Sequence, residues 1–322
     1  MQVQPKIYLC AFGNLNLSTA AYRYYHQALS MGIFENIFIY NECNLDLDFV
    51  REFKGRFYDE INLAQFANGG GDLSTDSFSG GRNDPYFMGS RLVKPTRGFG
   101  FWCWKPQIIL QSLRQINDND ILIYADLGCE FSAKGAKNLL AKLKELESSD
   151  MIGFSLGTTE KEYTKGDVFR HFGVENDAKF TQSRQIIGTI IFMKKSQKTL
   201  QIIDEWLNIF RNHFDLVNDS PSKSPNLQGF IQNRHDQSIW SLLNKKYNLT
   251  NFDYAVSAEC GILISRKTRN ALGLFFDTNG RFKPFKKVKF KILHGLFKFG
   301  TKILPKSYAK EQCKLWLKYT RV

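Results

Sequence analysis

The segment from Pro106 to Asp126 constrains the fold more than any other. Pro106 suits the first turn of a helix, where a backbone N–H has no partner to lose. Ile109, Leu110, Leu113 and Ile116 then recur at helical spacing. Asp118-Asn119-Asp120 is turn chemistry. Ile121-Leu122-Ile123-Tyr124-Ala125 follows as a short apolar run, the signature of a strand covered on both faces. Such strands belong to α/β sheets, in which ligands bind beyond the carboxyl ends of the strands. Asp126 comes immediately after the run and is expected to face a ligand.

The N-terminal part agrees. Ile7 to Phe12 reads as a strand ended by Gly13, Ser18 is placed to cap a helix through Leu29 with Gly32 just past its end, and Ile37 to Tyr40 reads as a second strand. Strand–helix–strand order opens a nucleotide-binding α/β half. Tyr8, Ala11 and Phe12 are candidates to line its pocket. Residues 67–100 form a long Gly-rich stretch in which Arg91, Lys94 and Arg97 are phosphate-binding candidates. Farther on, Ser149 to Leu156 and Ile186 to Phe192 read as strands, the second with a glycine, Gly188, that admits close approach. Thr199 to Phe210 is an amphipathic helix. Ser220 to Gln232 is a loop leading to a helix that begins at Asp236, and Phe252 to Ile264 returns to the sheet.

Three runs carry a family likeness. Gly98-Phe99-Gly100-Phe101-Trp102-Cys103-Trp104-Lys105-Pro106, Tyr124-Ala125-Asp126-Leu127-Gly128-Cys129 and Arg234-His235-Asp236-Gln237-Ser238 together resemble bacterial GT-A glycosyltransferases of capsule and lipopolysaccharide gene clusters, over residues 5–270. The resemblance implies an α/β, GT-A-like (Rossmann-like) fold with a mostly parallel central sheet flanked by helices. It implies transfer from a nucleotide-sugar donor, UDP-sugar favoured, to a glycan or lipid-linked acceptor. Asp236, with His235 and Gln237, is the implied catalytic group. Phe12, Arg97, Trp104, Lys105, Asp126 and Gly128 are implied on the donor side, with Mn or Mg at Asp126. In an inverting reaction Asp236 takes the acceptor proton; in a retaining one Asp236 or Gln237 sits beside the oxocarbenium-like centre. Gln182, Gln185 and Gly188 are acceptor-side candidates. One departure matters: the usual Asp-X-Asp metal motif is Asp126-Leu127-Gly128 here, without its second carboxylate. The alternative reading is a non-catalytic nucleotide-sugar or carbohydrate-binding protein on a degenerate GT-A fold. A phosphoryl- or cytidylyl-transferring enzyme is disfavoured, because no Gly-rich phosphate loop with Lys-Ser/Thr is present.

The charge distribution divides the chain into a catalytic domain, residues 1–280, and a tail, residues 281–322. The tail holds eleven Lys and two Arg against one Glu, whereas the preceding residues balance to within one charge. A nucleic-acid enzyme spreads basic residues around its cleft, so no nucleic-acid partner is expected. The six scattered cysteines, without a CxxC pair, fit a reducing cytoplasm. No basic-then-apolar secretory leader opens the sequence, and no run reaches the length of a membrane span. After Pro284, Val288, Ile292, Leu296, Phe299 and Ile303 recur at helical steps among Lys287, Lys291, Lys298 and Lys302. A basic amphipathic segment of this kind lies in a membrane interface. The expectation is a peripheral protein on the inner face of the cytoplasmic membrane, held by anionic lipid at about 1 kcal/mol per engaged cation. Flotation with anionic and neutral liposomes checks it: the chain should float with anionic vesicles alone, and truncation at Lys283 should abolish this.

Overall fold

The computed structural model describes residues 4–14, 17–60, 86–88 and 91–264. The tail at 281–322, the glycines of the 67–85 stretch and the basic cluster Arg266, Lys267 and Arg269 lie outside the described residues. The class is α/β, a central mostly parallel sheet flanked by helices, as expected. The chain divides into two compact units. The first draws on Met1–Asn41, Ala125–Glu145 and Ala255–Val322, the second on Glu42–Tyr124 and Leu146–Tyr254.

In the first unit, β1 (Ile7–Phe12) and β2 (Asn36–Tyr40) run parallel, joined by α1 (Ser18–Leu29). Leu17, not Ser18, occupies the cap position, and no side chain caps the helix. Gly13 ends β1 because the chain must pass Leu127 there: a Cβ on Gly13 would lie 2.2 Å from Leu127 Cδ2. The buried face of α1 mixes apolar Ala20, Tyr24 and Ala28 with polar Arg23 and Gln27.

The second unit begins with α2 (Leu47–Phe57). The side chain of Asp46 accepts from the N–H groups of Asp48 and Phe49, and Phe49, Phe53 and Phe57 recur every fourth residue on the buried face. The strands β3 (Tyr58–Glu60), β4 (Tyr86–Met88) and β5 (Arg91–Pro95) form a small antiparallel sheet in the order β3-β5-β4. A tight turn of left-handed backbone, α3 (Gly98–Phe101), precedes the helix α4 (Trp104–Leu113), which has Pro106 in its first turn as expected. The strand β6 (Ile121–Ala125) is buried throughout.

Two elements then complete the first unit's middle segment, β7 (Cys129–Phe131) and α5 (Ala136–Leu143). The second unit resumes with β8 (Met151–Thr159), the short helices α6 (Glu160–Tyr163), α7 (Gly166–Phe172) and α8 (Ala178–Thr181), β9 (Arg184–Ile186), β10 (Ile190–Lys194), α9 (Gln197–Asn212), α10 (Asp236–Lys246) and β11 (Thr250–Asp253). β11 runs parallel to β8; β10 and β9 run antiparallel to it. Trp206 of α9 and Trp240 of α10, both fully buried, stack 5.5 Å apart. The last described elements, α11 (Ala255–Glu259) and β12 (Ile262–Ile264), return to the first unit, where β12 pairs antiparallel with β7.

One expected strand is broken. Ile186 to Phe192 reads as continuous from its composition, yet β9 stops at Ile186 and β10 starts at Ile190. The Gly188 peptide between them is bonded by side chains: its N–H donates to Gln237 Oε1 at 3.1 Å and its C=O accepts from Lys105 Nζ at 2.8 Å. Backbone groups must find partners somewhere, and here side chains displace the ladder. Glu160 to Lys179, which reads as irregular from its polar composition, condenses into α6, α7 and the start of α8.

The tightest backbone approach is in the first unit, where a Cβ on Gly135 would lie 2.1 Å from Gly261 N and 2.3 Å from Gly261 Cα. Backbone cannot yield as a flexible side chain can. Gly135→Ala is therefore expected to destabilise by about 1–3 kcal/mol, measurable as a lowered urea midpoint.

Candidate functional site

In the first unit, Asp126 stands at the carboxyl end of β6, half-buried, and the chain turns sharply after it: Cys129 N–H donates to Asp126 C=O at 2.8 Å. The turn is sutured to α1. Arg23, 1% exposed, donates to the carbonyls of Cys129 (2.8 Å) and Leu127 (2.9 Å) and to Gln27 Oε1 (2.8 Å). Tyr24 O–H donates to Ala125 C=O at 3.0 Å. Burial pulls the Arg23 pKa below its ordinary value, opposed most by Glu130, and pushes the Tyr24 phenol well up. Three side-chain bonds, two from Arg23 and one from Tyr24, thus fix the path of the chain from Ala125 to Cys129, on which Asp126 and Gly128 sit. Phe12, the last residue of β1, is buried in the same unit.

The second unit holds Arg97, Trp104, Lys105, His235, Asp236 and Gln237. Lys105 and Asp236 form an ion pair with side chains only 3% and 7% exposed. The ammonium also donates to Gly188 C=O and lies 5.2 Å from the centre of the Tyr124 ring. Asp236 opens α10, where the helix dipole favours a carboxylate, so ion pair and helix start reinforce each other. Gln237 grips the same glycine: Oε1 accepts from Gly188 N–H while Nε2 donates to Gln185 Oε1 at 2.7 Å. A Cβ on Gly188 would lie 3.3 Å from Asp236 Oδ2 and from Gln237 Cβ, so the glycine keeps this contact close. Gln182, by contrast, lies beyond the end of α8 at its C-cap.

Backbone strain concentrates beside this cluster. Gly98, Phe99, Gly100, Phe101 and Trp102 all have positive φ, at 59, 53, 84, 53 and 64°. Three of them are not glycine, and each costs about 1–2 kcal/mol in this region. The turn is held by Thr96, whose Oγ1 accepts from Gly100 N–H at 2.7 Å, by Trp104 Nε1–H donating to Gly98 C=O at 3.0 Å, and by Phe99 stacked on Phe57 at 4.8 Å. His235, immediately before α10, has φ 53° and ψ −120°, a conformation that costs a non-glycine residue about 1–3 kcal/mol. Its ring, 3% exposed, meets Trp102 and Phe101, each 5.4 Å between ring centres. Burial holds the His235 pKa below its usual range, with a hydrogen bond to Val217 C=O (2.6 Å) opposing. The neutral ring therefore donates through Nδ1, and Nε2, a bare acceptor, has no partner among the described residues; Asp219 Oδ1 is 3.7 Å away. Arg97 immediately precedes the strained turn and pairs with Asp219 at 3.0 Å, half-exposed.

A second polar cluster backs the first. Glu160, fully buried, accepts from Ser241 Oγ–H, Lys245 Nζ and Thr164 Oγ1–H (2.6 Å). Ser241 Oγ in turn accepts from Ile186 N–H at 2.7 Å, and Gln185 Nε2 reaches Thr164 Oγ1 at 3.3 Å. A chain of hydrogen bonds so runs from Lys245 through Glu160 and Gln185 to Gln237 and Gly188. Sequence reasoning misses Arg23, Thr96 and Glu160. Lys245 four residues after Ser241 on α10 is the one local hint of a buried acid opposite, and Arg23 leaves no hint beyond a charge on an otherwise inward face.

Removing one partner of a buried ion pair strands the other charge, at a cost of about 3–5 kcal/mol, whereas removing both is often neutral. Lys105→Met and Asp236→Leu should each lower stability by that amount, and the double variant should recover most of the loss. Urea unfolding of the four proteins, read as a double-mutant cycle, checks it.

No protein-family model matches the chain, and no curated protein matches it. Among solved structures it is similar to the apo form of the glycosyltransferase GlyE from Streptococcus pneumoniae TIGR4, at 13% identity over 79% of this chain and 46% of that one, with a TM-score of 0.35. It is similar to apo mouse xyloside xylosyltransferase 1, at 7% identity over 77% and 84% of the two chains, TM-score 0.36. The apo bifunctional glycosyltransferase WbbM matches at 10% identity over 78% and 39%, TM-score 0.39. The chain thus spans less than half of GlyE and of WbbM.

Proposed function

We propose that the chain is a glycosyltransferase that moves a sugar from a nucleotide-sugar donor, a UDP-sugar, to a glycan or lipid-linked acceptor in bacterial surface-polysaccharide synthesis. The observation that carries this reading is Asp126: a carboxylate at the end of a fully buried strand, on a turn fixed by a buried arginine. Ligands of open α/β sheets bind beyond such strand ends, and rigid placement is what a charged donor requires. The three sequence runs that resemble GT-A enzymes add to it.

In this reading Asp126 would hold Mg or Mn on the donor side. Among the described residues no group of three His, Cys, Asp or Glu can hold a metal ion, so Asp126 would be its one carboxylate ligand from the protein. When bound, the ion would neutralise charge on the departing diphosphate. Asp236 is the group that assists the reacting centre. Lys105 holds it in place, and Gln237 fixes the Gly188 peptide beside it. His235, neutral, packs its ring on Phe101 and Trp102 of the strained turn, immediately before α10.

Binding without turnover is favoured by one observation, the missing second carboxylate of Asp126-Leu127-Gly128. It would make the chain a nucleotide-sugar- or carbohydrate-binding protein. The two readings separate in one assay. Wild-type protein incubated with a panel of UDP-sugars and Mn²⁺ should release UDP; Asp126→Ala should lower turnover by about a hundredfold or more while its thermal midpoint stays near wild type. Asp236→Asn should lower kcat far more than donor affinity. UDP-sugar binding by wild type with no UDP release overturns the transferase reading.

A further inference from the structure

We infer that the second unit carries a subsite for a neutral, polyhydroxylated ligand, a pyranose ring, in the cavity under the loop before α10. The cavity measures about 320 Å³, and its walls include Asn218, Asp219, Ser222, Asn226, Phe230 and Gln232. A space of this size suits a small ligand. Sugars are recognised by amides and hydroxyls that both donate and accept, and by an aromatic face for the apolar side of the ring.

The wall has those groups, and several are unspent. Asn226 Oδ1 accepts from Gly166 N–H at 2.8 Å, and Asn218 Oδ1 accepts from Ser220 N–H at 3.0 Å. The Nδ2 groups of both make no hydrogen bond to the described protein, nor does the side-chain amide of Gln232. Ser222 Oγ accepts from Asp167 N–H at 3.1 Å and keeps its own proton to donate. Phe230 supplies a half-buried ring.

The charges on the wall are already spent, which selects against an anion. Lys165, 2% exposed, turns its ammonium onto the backbone carbonyls of Asp215 and Ser220. Asp219 is paired with Arg97. On the far side of Asp219, 3.7 Å away, lies the unpartnered Nε2 of buried His235, next in sequence to Asp236. The subsite therefore lies beside His235, the residue before the proposed catalytic carboxylate, within one unit of the fold. It rests on the transferase reading for its place in the reaction, where it holds the acceptor sugar, but not for binding itself.

Saturation-transfer NMR on the full chain, without nucleotide, tests it with millimolar methyl glycopyranosides of glucose, galactose, mannose and N-acetylglucosamine. At least one should bind. Gln232→Ala removes an amide that bonds nothing in the protein, and Asn226→Asp keeps the bond to Gly166 while removing the Nδ2 donor. Each should weaken that glycoside about threefold to tenfold, with thermal unfolding unchanged. No binding by any glycoside, unchanged binding in the double variant, or displacement of the glycoside by equimolar inorganic phosphate each overturns the inference. Glycoside binding that responds to both variants in a protein that never releases UDP from UDP-sugars supports the subsite and refutes the transferase.

Discussion

The Lys105–Asp236 pair is the interaction on which the second unit depends. Two charges taken out of water are costly, and the cost is met only where geometry and extra hydrogen bonds are good. Here the ammonium has a carboxylate, a carbonyl and an aromatic face, and the carboxylate stands at the positive end of a helix. The pair joins three places far apart in sequence: the start of α4, the gap between β9 and β10, and the start of α10. Gly188 sits at their meeting point, with both of its peptide groups taken by side chains. The strand breaks there because those bonds are better placed than ladder bonds.

What surrounds the pair is rigid for the same reason. The Glu160 cluster anchors α6, β9 and α10 to one another through a buried carboxylate whose neighbours are Ser241, Lys245 and Thr164. Gln185 links that cluster to Gln237. A buried polar network of this kind specifies one arrangement when it is fully satisfied. In the first unit Arg23 does similar service for the turn after β6, by bonding carbonyls that a bend would otherwise leave bare.

Much of this was legible in the sequence, wherever the signal is local. The apolar run at 121–125, the proline-started helix before it, the carboxylate after it and the helix beginning at Asp236 all follow from residues adjacent in the chain. What sequence reading could not supply is set by partners far away. Whether 186–192 is one strand or two depends on Lys105, 83 residues from Gly188, and on Gln237, 49 residues from it. Lys105 reads from its neighbours as a cation at a helix start, ready for an anion; in the fold it has found one in Asp236, 131 residues on. Ser18 looks like a cap because its type fits, but the helix takes one more residue and leaves Leu17 at that position.

The run from Gly98 to Trp102 inverts the handedness of the chain for five residues. L-residues resist this, and nature's usual remedy, glycine, is used at only two of the five positions. Phe99, Phe101 and Trp102 stay because their rings touch Phe57, Phe214 and His235. A mirror-image amino acid would have no such conflict, since positive φ is its natural region. In a chain assembled by chemical ligation, D-phenylalanine at position 99 or 101 would meet the backbone geometry without strain, but its ring would leave from the opposite side of Cα and give up the contacts with Phe57 or with Phe214 and His235. In this short stretch the protein's own stereochemistry and the fit of its side chains thus pull against each other, and the ring contacts prevail.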